Sequence, residues 1–134
     1  MGALPFLVAS TVNIVISQRL VRVACKTCRN ERTLNMAELK SLSSLAKDML
    51  SEKIFSVGKG CKDCDGTGYK SRIGVHEVLP IDDDIRSLIV AKSDASVIRA
   101  QAIKNGMKTL SEDGFQKAVQ GITTIEEILR IIHE

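Results

Sequence analysis

Two periods of apolar residues alternate along this chain. The opening stretch, Pro5-Phe6-Leu7-Val8-Ala9-Ser10-Thr11-Val12-Asn13-Ile14-Val15-Ile16, is apolar with a few polar interruptions. Its length, and Pro5 in a first-turn position, predict a buried helix over residues 5–18. The β-branched run Val12, Ile14, Val15, Ile16 keeps a strand open as the alternative. Gln18-Arg19-Leu20-Val21-Arg22-Val23-Ala24 then alternates polar with apolar, the mark of a strand. Helical spacing takes over at Met36, Leu39, Leu42, Leu45, Ala46, Met49 and Leu50. Asn35 with Glu38 three residues on reads as a capping box, so an amphipathic helix of about four turns is expected there. Residues 69–81 read as a strand ending at Pro80.

The last fifty residues look helical. Asp82, Asp83 and Asp84 precede Ile85-Arg86-Ser87-Leu88-Ile89-Val90, where carboxylates favour a helix N-terminus. Asp94 is expected to cap a helix running to Asn105 and stopped by Gly106. Ser111-Glu112-Asp113 opens another, closed by Gly121. Thr123 and Thr124 with Glu126 and Glu127 form overlapping capping boxes for a final helix that buries Ile125, Ile128, Leu129, Ile131 and Ile132. The whole predicts an α+β fold, mostly helical, with a few short strands and a C-terminal bundle of short helices packed on the strand.

Punctuating this pattern are two short cysteine pairs, Cys25-Lys26-Thr27-Cys28 and Cys61-Lys62-Asp63-Cys64, which hold all four cysteines of the chain. Two intervening residues let one tight turn aim both sulfurs at a single ion. Two such turns supply the four ligands that Zn²⁺ takes in a tetrahedron at roughly 2.3 Å per sulfur. Disulfides suit a small secreted domain, and a redox dithiol needs one reactive pair at a helix N-terminus, which leaves the second pair unexplained. The pattern favours Cys25, Cys28, Cys61 and Cys64 as a structural zinc site, closed to an activated water because all four positions are thiolates. Thirty-two residues separate Cys28 from Cys61, so the expected amphipathic helix is an insert between the knuckles. Gly58, Gly60, Gly66 and Gly68 flank the second knuckle, where they allow tight turns and let backbone N–H groups face the sulfurs. Three segments follow: 1–24, a core-like helix and strand; 25–69, the zinc subdomain; 70–134, a strand with the helical bundle.

Composition narrows the function. The chain has 134 residues, 44% hydrophobic but only 3% aromatic, and a net charge of +3. A core of this make-up rests on Leu, Ile, Val, Ala and Met. It lacks the aromatic platforms that stack single-stranded bases, and the mild charge demands no nucleic-acid partner. Thiols kept reduced for a metal imply a cytoplasmic protein. The N-terminal apolar stretch falls short of the about 20 residues of a membrane span and lacks the layout of a signal peptide. Its abrupt start in core-like sequence leads us to expect a longer protein upstream, with Met1-Gly2 an addition. Arg19, Arg22, Lys26, Arg29 and Arg32 gather around the first knuckle. They read either as a solvated face balancing a doubly negative zinc–thiolate centre or as a contact for phosphate or an acidic partner. His76 reads as a packed or hydrogen-bonded residue, since four cysteines already complete the ligand set. There is no G-x-x-x-x-G-K-[ST], no dinucleotide fingerprint, no HExxH and no nucleophile–base constellation, so no catalytic residue is assigned.

Several of these segments together resemble one family. Gln18-Arg19-Leu20-Val21-Arg22, Cys25-x-x-Cys28, Gly60-Cys61-x-x-Cys64 with Thr67-Gly68-Tyr69, Arg72-x-Gly74-Val75-His76-Glu77-Val78-Leu79, Gly106-Met107-x-Thr109-Leu110-x-x-Asp113-Gly114 and Gly121-x-Thr123-Thr124-x-Glu126-Glu127 are similar, in order, to the secretion ATPases of type II secretion and type IV pilus assembly. The resemblance implies the C-terminal piece of a cytoplasmic, hexameric ATPase. Such a motor works at the bacterial inner membrane with a platform protein, with ATP and Mg²⁺ bound in parts of the parent upstream of residue 1. It carries the metal site over to Cys25, Cys28, Cys61 and Cys64, and leaves the roles of Arg19 and Arg22 open. Two other resemblances compete. Cys61-Lys62-Asp63-Cys64-Asp65-Gly66-Thr67-Gly68 fits one copy of the CxxCxGxG repeat of DnaJ-type chaperone zinc modules, and paired CxxC turns also build zinc ribbons that bind nucleic acid.

Overall fold

The computed structural model describes residues 2–38, 40, 42 and 53–133. Its α+β elements group into two compact units that are not successive in sequence. One comprises Met1–Ser17 with Glu77–Thr109, the other Gln18–His76 with Leu110–Glu134. Strands β1, Ile14–Ala24, and β4, Tyr69–Pro80, form a two-stranded sheet and each runs through both units. The boundaries expected from sequence at 24/25 and 69/70 both fall inside the second unit.

In the first unit, helix α1 covers only Pro5–Thr11. The buried helix expected over 5–18 is half that length, and of its residues only Ala9 is buried, while Phe6 is 57% exposed. The β-branched run decides the matter. Such side chains lose rotamer freedom in a helix and suit a pleated surface, so β1 begins at Ile14. Helices α2, Asp83–Val90, and α3, Ala95–Lys104, close a small core of Ile81, Ile85, Ala102 and Met107. Asp82 caps α2 as expected, its carboxylate accepting from the Ile85 N–H at 2.9 Å. Asp94 occupies the N-cap of α3, but its side chain makes no capping bond there. Gly106, at φ +99°, ends α3 in a Schellman turn: its N–H donates to Ile103 O at 3.0 Å and that of Met107 to Ala102 O at 2.9 Å.

In the second unit, β2, Asn30–Thr33, pairs antiparallel with β3, Lys53–Ser56, in the register Asn30↔Ser56 to Thr33↔Lys53. Between them the capping box forms as read: Asn35 N–H donates to Glu38 Oε2 at 2.9 Å, and Glu38 N–H to Asn35 Oδ1 at 2.8 Å. Residues 36–38, 40 and 42 are helical, with Leu42 buried and Met36 exposed. Leu39, Leu45, Ala46, Met49 and Leu50 of the expected helix lie outside the described residues. Helices α4, Leu110–Val119, and α5, Ile125–His133, close a core of Val21, Leu34, Leu42, Ile54, Val75, Phe115, Ala118, Ile125, Ile128 and Ile131. The anticipated single C-terminal bundle is therefore divided, α2 and α3 belonging to one core and α4 and α5 to the other. Among the described residues, no helix is long and apolar enough to cross a membrane.

Candidate metal centre

The two knuckles hang from the second unit's strands. Cys25 follows the last residue of β1, and Cys28 is separated from the start of β2 by Arg29 alone. Cys61 and Cys64 bracket a short 3₁₀ turn, Lys62–Cys64, just before β4. The four Sγ atoms all lie within 4.8 Å of one another. Cys25 and Cys61 are 3.7 Å apart, Cys28 and Cys64 3.8 Å, and Cys61 and Cys64 3.6 Å. A tetrahedron with ligand bonds of roughly 2.3 Å has edges of about 3.8 Å. Disulfide sulfurs would stand at about 2 Å, and all four cysteines are free. The spacing and the chemistry of the donors fit a tetrahedral thiophilic ion.

Glycines make the approach possible. A Cβ on Gly58 would sit 1.6 Å from the Cys28 carbonyl oxygen, so only hydrogen allows the first knuckle to lie against the second. Gly68, at φ +75°, turns its N–H onto Cys64 Sγ at 3.2 Å, where the Cys61 N–H also donates at 3.1 Å. Cross-links hold the knuckles face to face: Cys25 N–H donates to Gly68 O at 2.9 Å, and Thr27 Oγ1 to Asp63 Oδ2 at 2.7 Å.

The sulfurs divide electrostatically. Burial works against each thiolate. For Cys64 the N–H donors of Cys61 and Gly68 outweigh it and hold the thiol at about 6. The N–H groups of Thr27 and Cys28 likewise bring Cys25 below its ordinary value. Burial and the neighbouring sulfurs push Cys28 up to about 12, and Cys61 also rises. Crowded sulfurs cannot all carry a charge in the absence of a counter-ion. A divalent cation at their centre is what would let all four ionise.

The arginines around the first knuckle are used within the chain. Arg19 donates to Ile131 O at 2.7 Å. Arg29 donates to Gly121 O and lies over the Phe55 ring at 4.3 Å. Arg32 pairs with Glu38 at 3.0 Å and Glu126 at 3.5 Å. Arg22 lies over Tyr69 at 4.1 Å and pairs with Glu127 at 2.6 Å. The Glu127 side chain is 2% exposed and also accepts from the Arg22 N–H at 3.0 Å and from Arg130 at 3.1 Å. These bonds outweigh burial and hold its carboxyl at about 2. The overlapping capping boxes expected here are replaced by longer-range ties. Thr124 does accept from the Glu127 N–H, at 3.4 Å, but the Glu127 carboxylate turns to Arg22, and the Thr123 hydroxyl donates to Arg22 O at 2.8 Å. Sequence spacing could not reveal a partner 105 residues away. The only hint was a Thr-x-x-Glu pattern with a local explanation. His76 lies apart from the sulfur cluster, exposed, its backbone N–H on Asp113 Oδ2 at 2.9 Å.

An α+β chain whose four cysteines gather within 4.8 Å of one another is a protein with a tetracysteine cluster. The family model described as type II/IV secretion system protein matches residues 1–130, and the chain belongs to that family. It is 44% identical over 129 residues to the type IV pilus assembly ATPase PilB of Thermus thermophilus, covering 96% of this chain and 14% of that protein. It is 34% identical over 134 residues to the type II secretion system protein E of Pectobacterium carotovorum subsp. carotovorum, and 35% identical over 134 residues to that of Pseudomonas aeruginosa. Both of these cover 100% of this chain and 26% of the relative. The chain thus spans about a seventh to a quarter of the length of these curated relatives. Membership decides among the three resemblances in favour of the secretion ATPases.

Proposed function

We propose that this chain is the zinc-clasped portion of a cytoplasmic ATPase that powers type II secretion or type IV pilus assembly. In this reading Cys25, Cys28, Cys61 and Cys64 hold one structural Zn²⁺. Four thiolates complete its shell, so its contribution is to fold and stiffness, up to roughly 10–16 kcal/mol by analogy with small zinc modules. ATP hydrolysis belongs to other parts of the parent, and this chain's own role is mechanical. A stiff, clasped body passes the motor's movement to a neighbouring subunit of a homohexamer or to a platform component at the inner membrane. The observation that carries the proposal is the gathering of four sulfurs within 4.8 Å of one another, three of their separations, 3.6 to 3.8 Å, matching the edges of a zinc–thiolate tetrahedron. The family match supports the motor context.

Elemental analysis of the reduced protein tests the site: one zinc per chain is expected, and little in Cys61→Ser/Cys64→Ser. The same pair of substitutions in the full parent tests the role. Loss of secretion or piliation with ATP binding retained supports it, whereas unaltered assembly by a zinc-free parent overturns it.

A further inference from the structure

The turn joining α4 to α5 is bound, residue after residue, to the segments that carry the sulfurs. Gly121 O accepts from Arg29, the residue after Cys28. Ile122 O accepts from the N–H of Ala24, the residue before Cys25, at 2.9 Å. The Thr123 hydroxyl donates to Arg22 O at 2.8 Å. Thr124 Oγ1 shares a hydrogen bond of 3.1 Å with the Tyr69 hydroxyl. Tyr69 follows Gly68, whose N–H donates to Cys64 Sγ. Arg22 lies over the Tyr69 ring and grips Glu127 in the first turn of α5.

Both knuckles therefore converge on four consecutive residues outside them. The knuckle loops have little regular structure of their own beyond one 3₁₀ turn. Four sulfur bonds to one ion would fix their backbones, and with them the donors that hold the turn. The anchors form a contiguous physical network, the kind of connection along which coupling travels.

We infer that the Gly121–Thr124 turn is a conformational readout of the clasp: an ion held by the four cysteines orders the junction of α4 and α5, and the packing of that junction tightens the grip on the ion. This rests on the metal-site reading above. Coupling between two sites is reciprocal, so it can be read from either end. A motor component built this way would present its C-terminal helix pair in a defined pose only when metal is loaded.

Two measurements on the full chain test it. In hydrogen exchange, stripping zinc with a chelator under reducing conditions should deprotect amides of residues 121–128 together with those of the knuckles. In chelator competition, Arg29→Gln and Tyr69→Phe, which alter no sulfur, should each raise the zinc Kd by about five-fold, the factor that corresponds to one ordinary hydrogen bond. Arg99→Gln, which breaks the ion pair with Glu77 and touches neither the knuckles nor the turn, should leave the Kd unchanged. Deprotection confined to residues 25–28 and 58–68, or wild-type affinity in both variants, overturns the coupling. Absence of stoichiometric zinc in the starting protein would instead refute the metal reading and the coupling with it. That failure is distinguished because it is seen before any variant is made.

Discussion

Glu127→Gln removes one buried charge and little volume, which makes its effect calculable. The carboxyl is held at about 2 by Arg22, Arg130 and the Arg22 N–H, against about 4.3 for an unperturbed glutamate. A depressed value stabilises the fold wherever the group is ionised. The contribution is present in full above about pH 4.3 and is lost as pH falls toward 2. The difference is worth about 3 kcal/mol at neutral pH, falling to about half of that by pH 3. The side chains of Arg22 and Arg130 are 51% and 42% exposed and can recover water in the variant, so a measured loss of about 2–3 kcal/mol is expected. Urea unfolding followed by far-ultraviolet circular dichroism on wild type and variant, at matched pH between 7 and 3, reads the gap directly. The stabilities should converge as pH falls. A gap that stays constant over this range would refute the argument, since a loss of packing alone has no reason to titrate.

Three further outcomes follow from the geometry. Gly58→Ala places a Cβ on the Cys28 carbonyl, so the knuckles cannot close; zinc measured by elemental analysis should fall from one per chain to a small fraction. Because thiol protons compete with the ion, and Cys28 stands at about 12 when no metal is bound, apparent zinc affinity should weaken steadily with acidification; a metal-indicator dye titrated from pH 8 to 5 will register this, and a pH-independent affinity would contradict four-thiolate binding. Phe115→Ala empties the centre of the larger core, where Phe115 is fully buried, and should cost about 3–5 kcal/mol, visible as a large fall in urea midpoint with the denaturant slope little changed.

Local chemistry reads well from a one-dimensional string. The two CxxC turns were legible because their geometry is decided within four residues, and the Asn35–Glu38 box and the stops at Gly106 and Gly121 for the same reason. β4 was read over 69–81 with its end at Pro80, where the strand does stop. Strands β2 and β3 were not legible: Asn30–Thr33 is short and polar, and its stability comes from pairing with residues beyond the insert. The extent of α1 was a contest between Pro5 at the start and β-branched residues after it, and pairing of β1 with β4 settled it.

By itself, then, the order of residues determined which atoms could bind a metal and where the chain must turn, because those properties depend on neighbours a few bonds away. Only the tertiary structure decided that the four sulfurs meet within 4.8 Å of one another, that the C-terminal helices divide between two cores, and that the arginines flanking the first knuckle belong to α5 and the turn before it. These depend on partners about 36 to 112 residues distant, and loop closure over such spans leaves no periodic trace in sequence.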